Sequence, residues 1–304
     1  MALTGGPLDT GDLIGLGGRG GPRRSRRRVP PGEAVRSTLI ALVSTIVVFG
    51  LILIVVTNAP NWPAVQKAFF DGAIFARSWP KVVEAFGTNV GLFLVAEVLT
   101  LIFGLVLAVL RGLPGPLFFP VRLLATIYVD LFRAVPGLLF IYLFGFGIPA
   151  LGIAGVPNDQ FFYGVLALTF VYSAYVSEVY RAGIESVHWS QEAAARSLGL
   201  NRFQALRYVI VPQAVRRVIP PLLNDFIGLQ KDTVLVSFIG VVEIFRTAQI
   251  KQAASFNFTP YVAVAVVFLI VTIPLARLTD WLLARQGGQV DAIAQTVAAA
   301  GTPR

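Results

Sequence analysis

The chain has 304 residues, of which 56% are hydrophobic and only 13% charged, with a formal net charge of +9. A soluble domain carries about 25% charged residues, so this composition excludes an ordinary water-soluble globule and points to a surface that faces lipid. The absence of cysteine excludes disulfides and thiolate metal sites.

Residues 1–32 are rich in Gly, Pro and Arg and cannot build a core, so a disordered basic cytoplasmic tail is expected. Gly15, Gly17 and Gly20 spell G-x-G-x-x-G. No strand signal precedes them and no helix signal follows, so the spacing is not a dinucleotide fingerprint. Arg23, Arg24, Arg26, Arg27 and Arg28 stand just before an apolar run. Basic residues there anchor a chain on the cytoplasmic side rather than bind nucleic acid. The run itself, Leu39 to Val56, spans about 18 residues and predicts an extra N-terminal transmembrane helix over 33–57. It is long for the apolar part of a signal peptide, and Thr57-Asn58-Ala59 is a poor cleavage site, so the span is retained.

Residues 58–85 mix Trp62 and Trp79 with Lys67, Asp71, Arg77 and Lys81, the pattern of an external interfacial segment. Five more spans are expected near 88–110, 120–150, 161–184, 218–243 and 259–283. The fold class is therefore an all-α integral membrane protein with about six transmembrane helices. The segment 120–150 is too long for one straight crossing, and Pro136 is predicted to break or kink it. Residues 285–304 form a cytoplasmic tail. The inner loops carry Arg111, Arg122, Arg196, Arg202, Arg207, Arg216 and Arg217, whereas the outer loop 150–160 has neither Lys nor Arg. Arg246 and Lys251 in the outer loop 244–258 are a mild exception. Both termini are thus expected in the cytoplasm.

Between two spans lies a polar helical hairpin, 188–212. Ser190 is a suitable N-cap for a helix running to about Leu198, and Gly199 stands where a left-handed C-terminal residue is wanted. Asn201 and Gln204 have capping-box spacing. Phe203, Leu206 and Ile210 give the second helix an apolar face, and Pro212 is expected to close it. The hairpin reads either as an amphipathic element lying on lipid or as a surface that docks a partner.

This hairpin resembles the signature loop of permease subunits of ATP-binding-cassette importers: Glu-Ala-Ala, three residues, Gly, nine residues, Ile, one residue, Leu, Pro. From Gly199, nine residues lead to Val209, then Ile210, Val211 and Pro212. The family's Glu falls on Ala193, with Ala194 and Ala195 after it, and Glu192 stands one place early. The chain is most similar to the branch that imports polar amino acids. Tyr128-Val-Asp-Leu-Phe-Arg-Ala-Val-Pro136 resembles its Tyr-x-x-x-Phe-Arg-Gly-x-Pro, and Tyr175-Val-Ser-Glu-Val-Tyr-Arg-Ala-Gly-Ile184 its Tyr-x-x-Glu-x-x-Arg-Gly-Gly-Ile. Gln230-Lys-Asp-Thr-Val-Leu235 resembles its Leu-Lys-Asp-Thr-Ser-Leu, with Gln230 and Val234 as departures.

The resemblance covers about residues 86–284 and implies a five-helix permease core, leaving 33–85 as an added element. It further implies ATPase subunits docked on Gln191, Glu192, Ala193, Ala194, Gly199 and Pro212. A second permease copy or homologous permease and an extracytoplasmic solute-binding protein complete the implied assembly. ATP and Mg would be held by the ATPase partner, with no cofactor on this chain.

Ionisable residues within spans cost about 2.5–3.5 kcal/mol each, so they call for a reason. Arg133 lies eleven residues beyond Arg122, roughly 16 Å along a helix. Lys231 and Asp232 lie at a similar distance beyond Pro220, Glu97 is near mid-span, and Glu178 is nearer the cytoplasm. A middle layer holding both signs of charge suits an amino-acid zwitterion. Arg133 or Lys231 would meet the carboxylate, and Glu97, Glu178 or Asp232 the ammonium or polar side chain. The plainer reading is internal pairing, with Asp130 neutralising Arg133 three residues on. Asp225 and Asp232, seven apart, share a helix face.

No phosphate-loop motif is present, so the chain has no visible means of hydrolysing ATP, and on the importer reading energy comes from another subunit. His188, the single histidine, has no partners for a catalytic pair or metal site and reads as a solvated loop residue. Three alternatives stand beside the ATP-driven permease. A secondary transporter would need an internal repeat that is not visible; the others are a structural membrane partner and a permease for another small polar solute.

Overall fold

The computed structural model describes residues 31–300, with side chains over 36–285. The expected basic tail through residue 30, its Gly15–Gly20 spacing, its arginine cluster and residues 301–304 lie outside the described residues. The chain divides into two compact units, Met1–Pro63 and Ala64–Arg304.

The first unit holds α1 (Pro31–Thr57). Its helix starts on Pro31, where no intrahelical N–H is needed, so residues 31 and 32 belong to the span rather than to the tail. Side chains such as Leu39, Phe49 and Leu53 are exposed within the unit, and the helix is apolar on all sides, as lipid requires. Thr57 Oγ1 donates to the Leu53 carbonyl (2.8 Å) and Asn58 Nδ2 to that of Ile54 (2.8 Å), which satisfies the last turn.

A short helix α2 (Trp62–Phe69) leads to α3 (Gly72–Arg111). Asp71 caps α3 by accepting from Ala73 N (2.9 Å) and Ile74 N (3.0 Å). The external segment expected at 58–85 is therefore mostly helix. Lys81 and Glu84 interrupt the apolar run but not the helix, because both are good helix formers and a helix continues past the lipid boundary without cost. At 40 residues α3 is about 60 Å long.

Next come α4 (Phe119–Ala134) and α5 (Gly137–Tyr142). The chain turns by 107° between them. Proline disfavours helical geometry in the residue before it, and Val135 is extended (φ −97°, ψ 135°), so the break expected at Pro136 is present. Phe132 and Phe140 stack across it with ring centroids 4.2 Å apart, holding the two halves in a fixed bend. A π-helical turn (Leu143–Gly147) and α6 (Ile148–Ala150) end this segment.

Helix α7 (Gln160–Glu185), capped by Asp159, is the hub that touches α3, α4, α5 and the later helices. Then follow α8 (Trp189–Ser197), α9 (Arg202–Ala205) and α10 (Val211–Asp232). A 3₁₀ stretch (Thr233–Ile239) stops at left-handed Gly240 (φ 97°). The span expected at 218–243 thus loses its α-helical form at Asp232. It continues, bent by 49°, into α11 (Ile244–Ser255), and α12 (Thr259–Ala300) completes the fold. Among the described residues four helices are long and apolar enough to cross a membrane alone, and the two bent pairs bring the number to six.

Lipid offers no hydrophobic drive between helices, so close packing holds them. Leu92, Ile141, Tyr163, Leu168, Leu229 and Val236 form one buried cluster around α7. Gly104 permits the α3–α7 crossing, since a Cβ there would lie 2.7 Å from Val176 Cγ1. A buried polar knot ties α11 to α3. Asn89 Nδ2 donates to Glu243 Oε2 (2.9 Å) and Thr233 Oγ1 (3.0 Å), and its Oδ1 accepts from Ile244 N (3.0 Å). Glu243 is wholly buried and also caps α11 through Phe245 N and Arg246 N.

Candidate translocation site and coupling hairpin

The Pro136 break exposes a cavity of about 330 Å³ between α5, α7 and α10. Gly137, Leu138, Tyr172, Tyr175, Asn224, Asp225, Gly228 and Asp232 line it. Asp225 and Asp232 occupy the shared helix face expected from their spacing. Tyr172 Oη donates to Asp232 Oδ2 (2.8 Å), which fixes that carboxylate at the wall. Asp225 Oδ2 is shielded from solvent and has no hydrogen-bond partner. Gly228 makes room for Tyr172, whose Oη would lie 3.3 Å from an added Cβ.

A separate charged node lies on the hairpin side. Glu178 Oε1 accepts from Arg111 (3.0 Å) and Arg133 (3.1 Å), and its Oε2 from Arg181 (2.7 Å). Arg181 also bridges to Glu185 (2.7 Å). Among the described residues no ion pair joins Asp130 to Arg133; Arg133 reaches across to α7 instead. The expectation of one middle layer of mixed charge is thus revised. Arg133 shares a carboxylate with Arg111, the last residue of α3, so it lies toward that end of the helix rather than alone at mid-depth. The straight-helix rise places only the backbone of Arg133 within α4; its long side chain then reaches across to Glu178 on α7. The guanidinium of Arg133 still stands 6.0 Å from the Tyr175 ring at the edge of the cavity.

The remaining predicted residues separate. Glu97 on α3 is half-buried and lies within electrostatic range of Asp225. Lys231 is exposed and lines none of this cavity. Asp225, Tyr172 and Asn224 were not singled out for this site by sequence reasoning, although Asp225 was visible as one of two acids on a helix face. A larger cavity of about 480 Å³ lies between α3 and α11, lined by Lys81, Glu84, Thr88 and Lys251. It contains none of the predicted site residues.

The hairpin is rigidly built. Helix α8 is capped by His188 rather than Ser190: the His188 ring Nδ1 accepts from Ser190 N (3.3 Å) and lies 2.8 Å from Ser190 Oγ. The histidine, expected to be merely solvated, is exposed but has this structural task. Gly199 is left-handed (φ 86°), and Leu200 N closes back onto the Ala195 carbonyl (3.2 Å). The Asn201–Gln204 capping box is complete, with bonds of 2.8 and 2.9 Å.

Pro212 does not end the second helix. A π-helical turn (Leu206–Ile210) widens the register ahead of it, so the ring escapes the clash with the preceding turn and the helix runs on into α10. Val187, Ile210 and Ala214 pack together, Arg217 donates to the Ser186 carbonyl, and Gln213 reaches Gln191 (3.4 Å). The hairpin is thereby fastened to the base of α10. Its outer side shows Trp189, Leu198 (83% exposed) and Phe203 (71% exposed), with Ala193 and Ala194 also exposed and Glu192 half-buried. Apolar side chains this open, on an element held this firmly, make this face a candidate docking surface.

A bundle of membrane-length helices is an architecture that a known transport protein shares. Residues 101–287 match the model of the family described as binding-protein-dependent transport system inner membrane component. The chain belongs to that family: it is a multi-pass inner-membrane permease subunit of an ABC transporter, and the family works with ATPase and substrate-binding partners. It is similar to the probable glutamine ABC transporter permease protein GlnM of Bacillus subtilis, 37% identical over 60% of this chain and 82% of that protein. It is also similar to the glutamate transport system permease protein GluC of Corynebacterium glutamicum, 34% identical over 66% of this chain and 92% of that protein. A crystal structure of an amino acid ABC transporter with histidines superposes with a TM-score of 0.65 at 32% identity, covering 71% of this chain and 98% of that one.

Proposed function

We propose that the chain forms one half of the membrane pathway of an importer for a polar amino acid, driven by ATP that a separate subunit hydrolyses. The relatives carry amino-acid names, glutamine and glutamate among them. The observation that carries the mechanism is the continuous connection from hairpin to cavity. The exposed hairpin is fastened to α10, and the far end of α10 supplies Asp225 and Asp232 to the cavity. A partner that shifts the hairpin therefore shifts the cavity wall.

In this reading Gln191, Glu192, Ala193, Ala194, Gly199 and Pro212 belong to the surface gripped by the ATPase, where ATP and Mg are held. A second permease copy completes the pathway, an extracytoplasmic binding protein delivers cargo, and both termini are cytoplasmic. Arg133, at the cavity edge, receives the cargo carboxylate, and Asp232 receives the ammonium. Glu178 is engaged by three arginines and serves to position Arg133, while exposed Lys231 lies outside the path.

The test is co-purification with the cognate ATPase and ATP-dependent uptake in proteoliposomes. Leu198→Glu and Phe203→Asp are expected to insert normally and to lose both the ATPase and uptake. Full retention of the ATPase by both variants would refute the docking assignment.

A further inference from the structure

The cavity of about 480 Å³ between α3 and α11 has no task in the transport reading. From Thr88 on its wall to Arg111 at the Glu178 node, α3 rises roughly 35 Å, more than the hydrocarbon thickness of about 30 Å. The cavity therefore stands at the membrane boundary opposite the hairpin. Trp79 and Tyr261, residue types that collect at membrane–water interfaces, pack against the cluster of Val82 and Ile244 that joins the same two helices.

On the topology proposed above this is the outer side, where basic residues are scarce, so Lys251 calls for a reason. Lys81 on the same wall is already paired with Glu84 (2.8 Å). Among the described residues the Lys251 ammonium makes no ion pair, and it is only partly exposed. Arg246, the other outer cation of α11, donates to Gln249 (3.0 Å) and lines none of this cavity. The wall thus carries two ammonium groups against one carboxylate, an excess of one positive charge. Beside them, Val242 and Ile250 are apolar, exposed and part of the same lining. A soluble anion would leave these two side chains facing water. An anion with a hydrocarbon tail covers them and meets the charge at once.

We propose that this cavity is a binding site for an anionic phospholipid of the outer leaflet, with Lys251 as the residue that reads the headgroup phosphate. The inference rests on the topology of the permease reading and goes beyond it, since the cargo pathway takes no part.

The test uses the permease–ATPase complex purified in detergent. It is titrated with phosphatidylglycerol or with phosphatidylcholine of the same acyl chains, and bound lipid is counted by native mass spectrometry. The wild type should hold the anionic lipid about fivefold or more tightly, the gain expected for one lysine at a headgroup. Lys251→Gln should remove about that factor, and Glu84→Gln, which releases Lys81 from its pair, should strengthen binding by a similar one. Arg246→Gln should leave it unchanged. Opposite signs at two positions on one wall do not arise from misfolding. No preference for the anionic lipid overturns the proposal. So does an equal loss in Arg246→Gln, the sign of a diffuse surface field. Displacement of the lipid by millimolar inorganic phosphate would show that the phosphate alone is the ligand. Unchanged lipid retention in Lys251→Gln, with loss of stimulation by the binding protein, would show a protein-docking face instead. Either result overturns the lipid site.

Ser255→Cys, at the end of α11, gives this cysteine-free chain one thiol and tests the topology separately. Labelling of intact cells by an impermeant maleimide supports the outer placement. Labelling only after the membrane is opened removes both the topology and the leaflet assigned. Outer labelling without a lipid preference leaves the topology standing and removes the lipid site alone.

Discussion

Glu178 bonds three guanidinium groups from α3, α4 and α7 within 3.1 Å. Its side chain and that of Arg111 are largely buried, while Arg133 and Arg181 are about two-fifths exposed, so solvent screens part of the interaction. Glu178→Gln removes the anion but keeps an acceptor. It should lower stability by about 2 kcal/mol, read as a fall in unfolding temperature of the detergent-purified protein. Arg133→Lys should bind less well at the same node, since a single ammonium cannot reproduce the planar fork. Asn89 is a second such point. Asn89→Ala strands Ile244 N and removes a donor from fully buried Glu243, at a cost of about 2–3 kcal/mol. Thermal unfolding of the variant checks this. Sequence reading found Arg133 and Glu178 as charges needing a reason, but not that they answer each other. Arg111 and Arg133 stand 67 and 45 residues from Glu178, and the partners of Asn89 lie 144 to 155 away, distances at which no local pattern operates.

Elements whose signals are local were legible. Pro136 dictates the extended geometry of Val135, and Asn201 and Gln204 make their capping box within one turn. Gly199 takes a conformation that costs other residues about 1–2 kcal/mol. Gly199→Ala is therefore expected to insert and assemble, yet to carry less cargo per ATP hydrolysed, because the hairpin is held less firmly; parallel uptake and phosphate-release assays check the ratio. Two elements were misread for a physical reason. The start of α3 was hidden because hydropathy marks where lipid ends, not where helix ends. Pro212 was taken as a stop because a π-helical turn has no sequence signature of its own, although Gln213 Nε2 on the Val209 carbonyl (3.0 Å) shows how the altered register is supported.

On the scale of the whole chain, the family match begins at residue 101, and Met1–Pro63 is a compact unit by itself. A chain that starts just before α2 is therefore expected to insert, assemble and support uptake at a level comparable to the full-length protein. Complete loss of uptake from a properly inserted truncation would show that α1 takes part in transport. The six spans and the helical hairpin were legible because lipid imposes apolar length and the hairpin breaks it. The cavity was not, because it exists only where the bend at Pro136, the small residue Gly228 and two turns of α10 meet in space.

The helix that begins at Arg202 runs without a break through Pro212, Pro220 and Pro221 to Asp232, about 46 Å. The π-helical turn and the three prolines are taken up within one continuous helix. On the docking reading proposed above, a stroke applied at its foot is carried along this one helix to the two acids near its head. Nucleotide turnover and cargo release would then keep step through stiffness alone, with no relay of side chains between them.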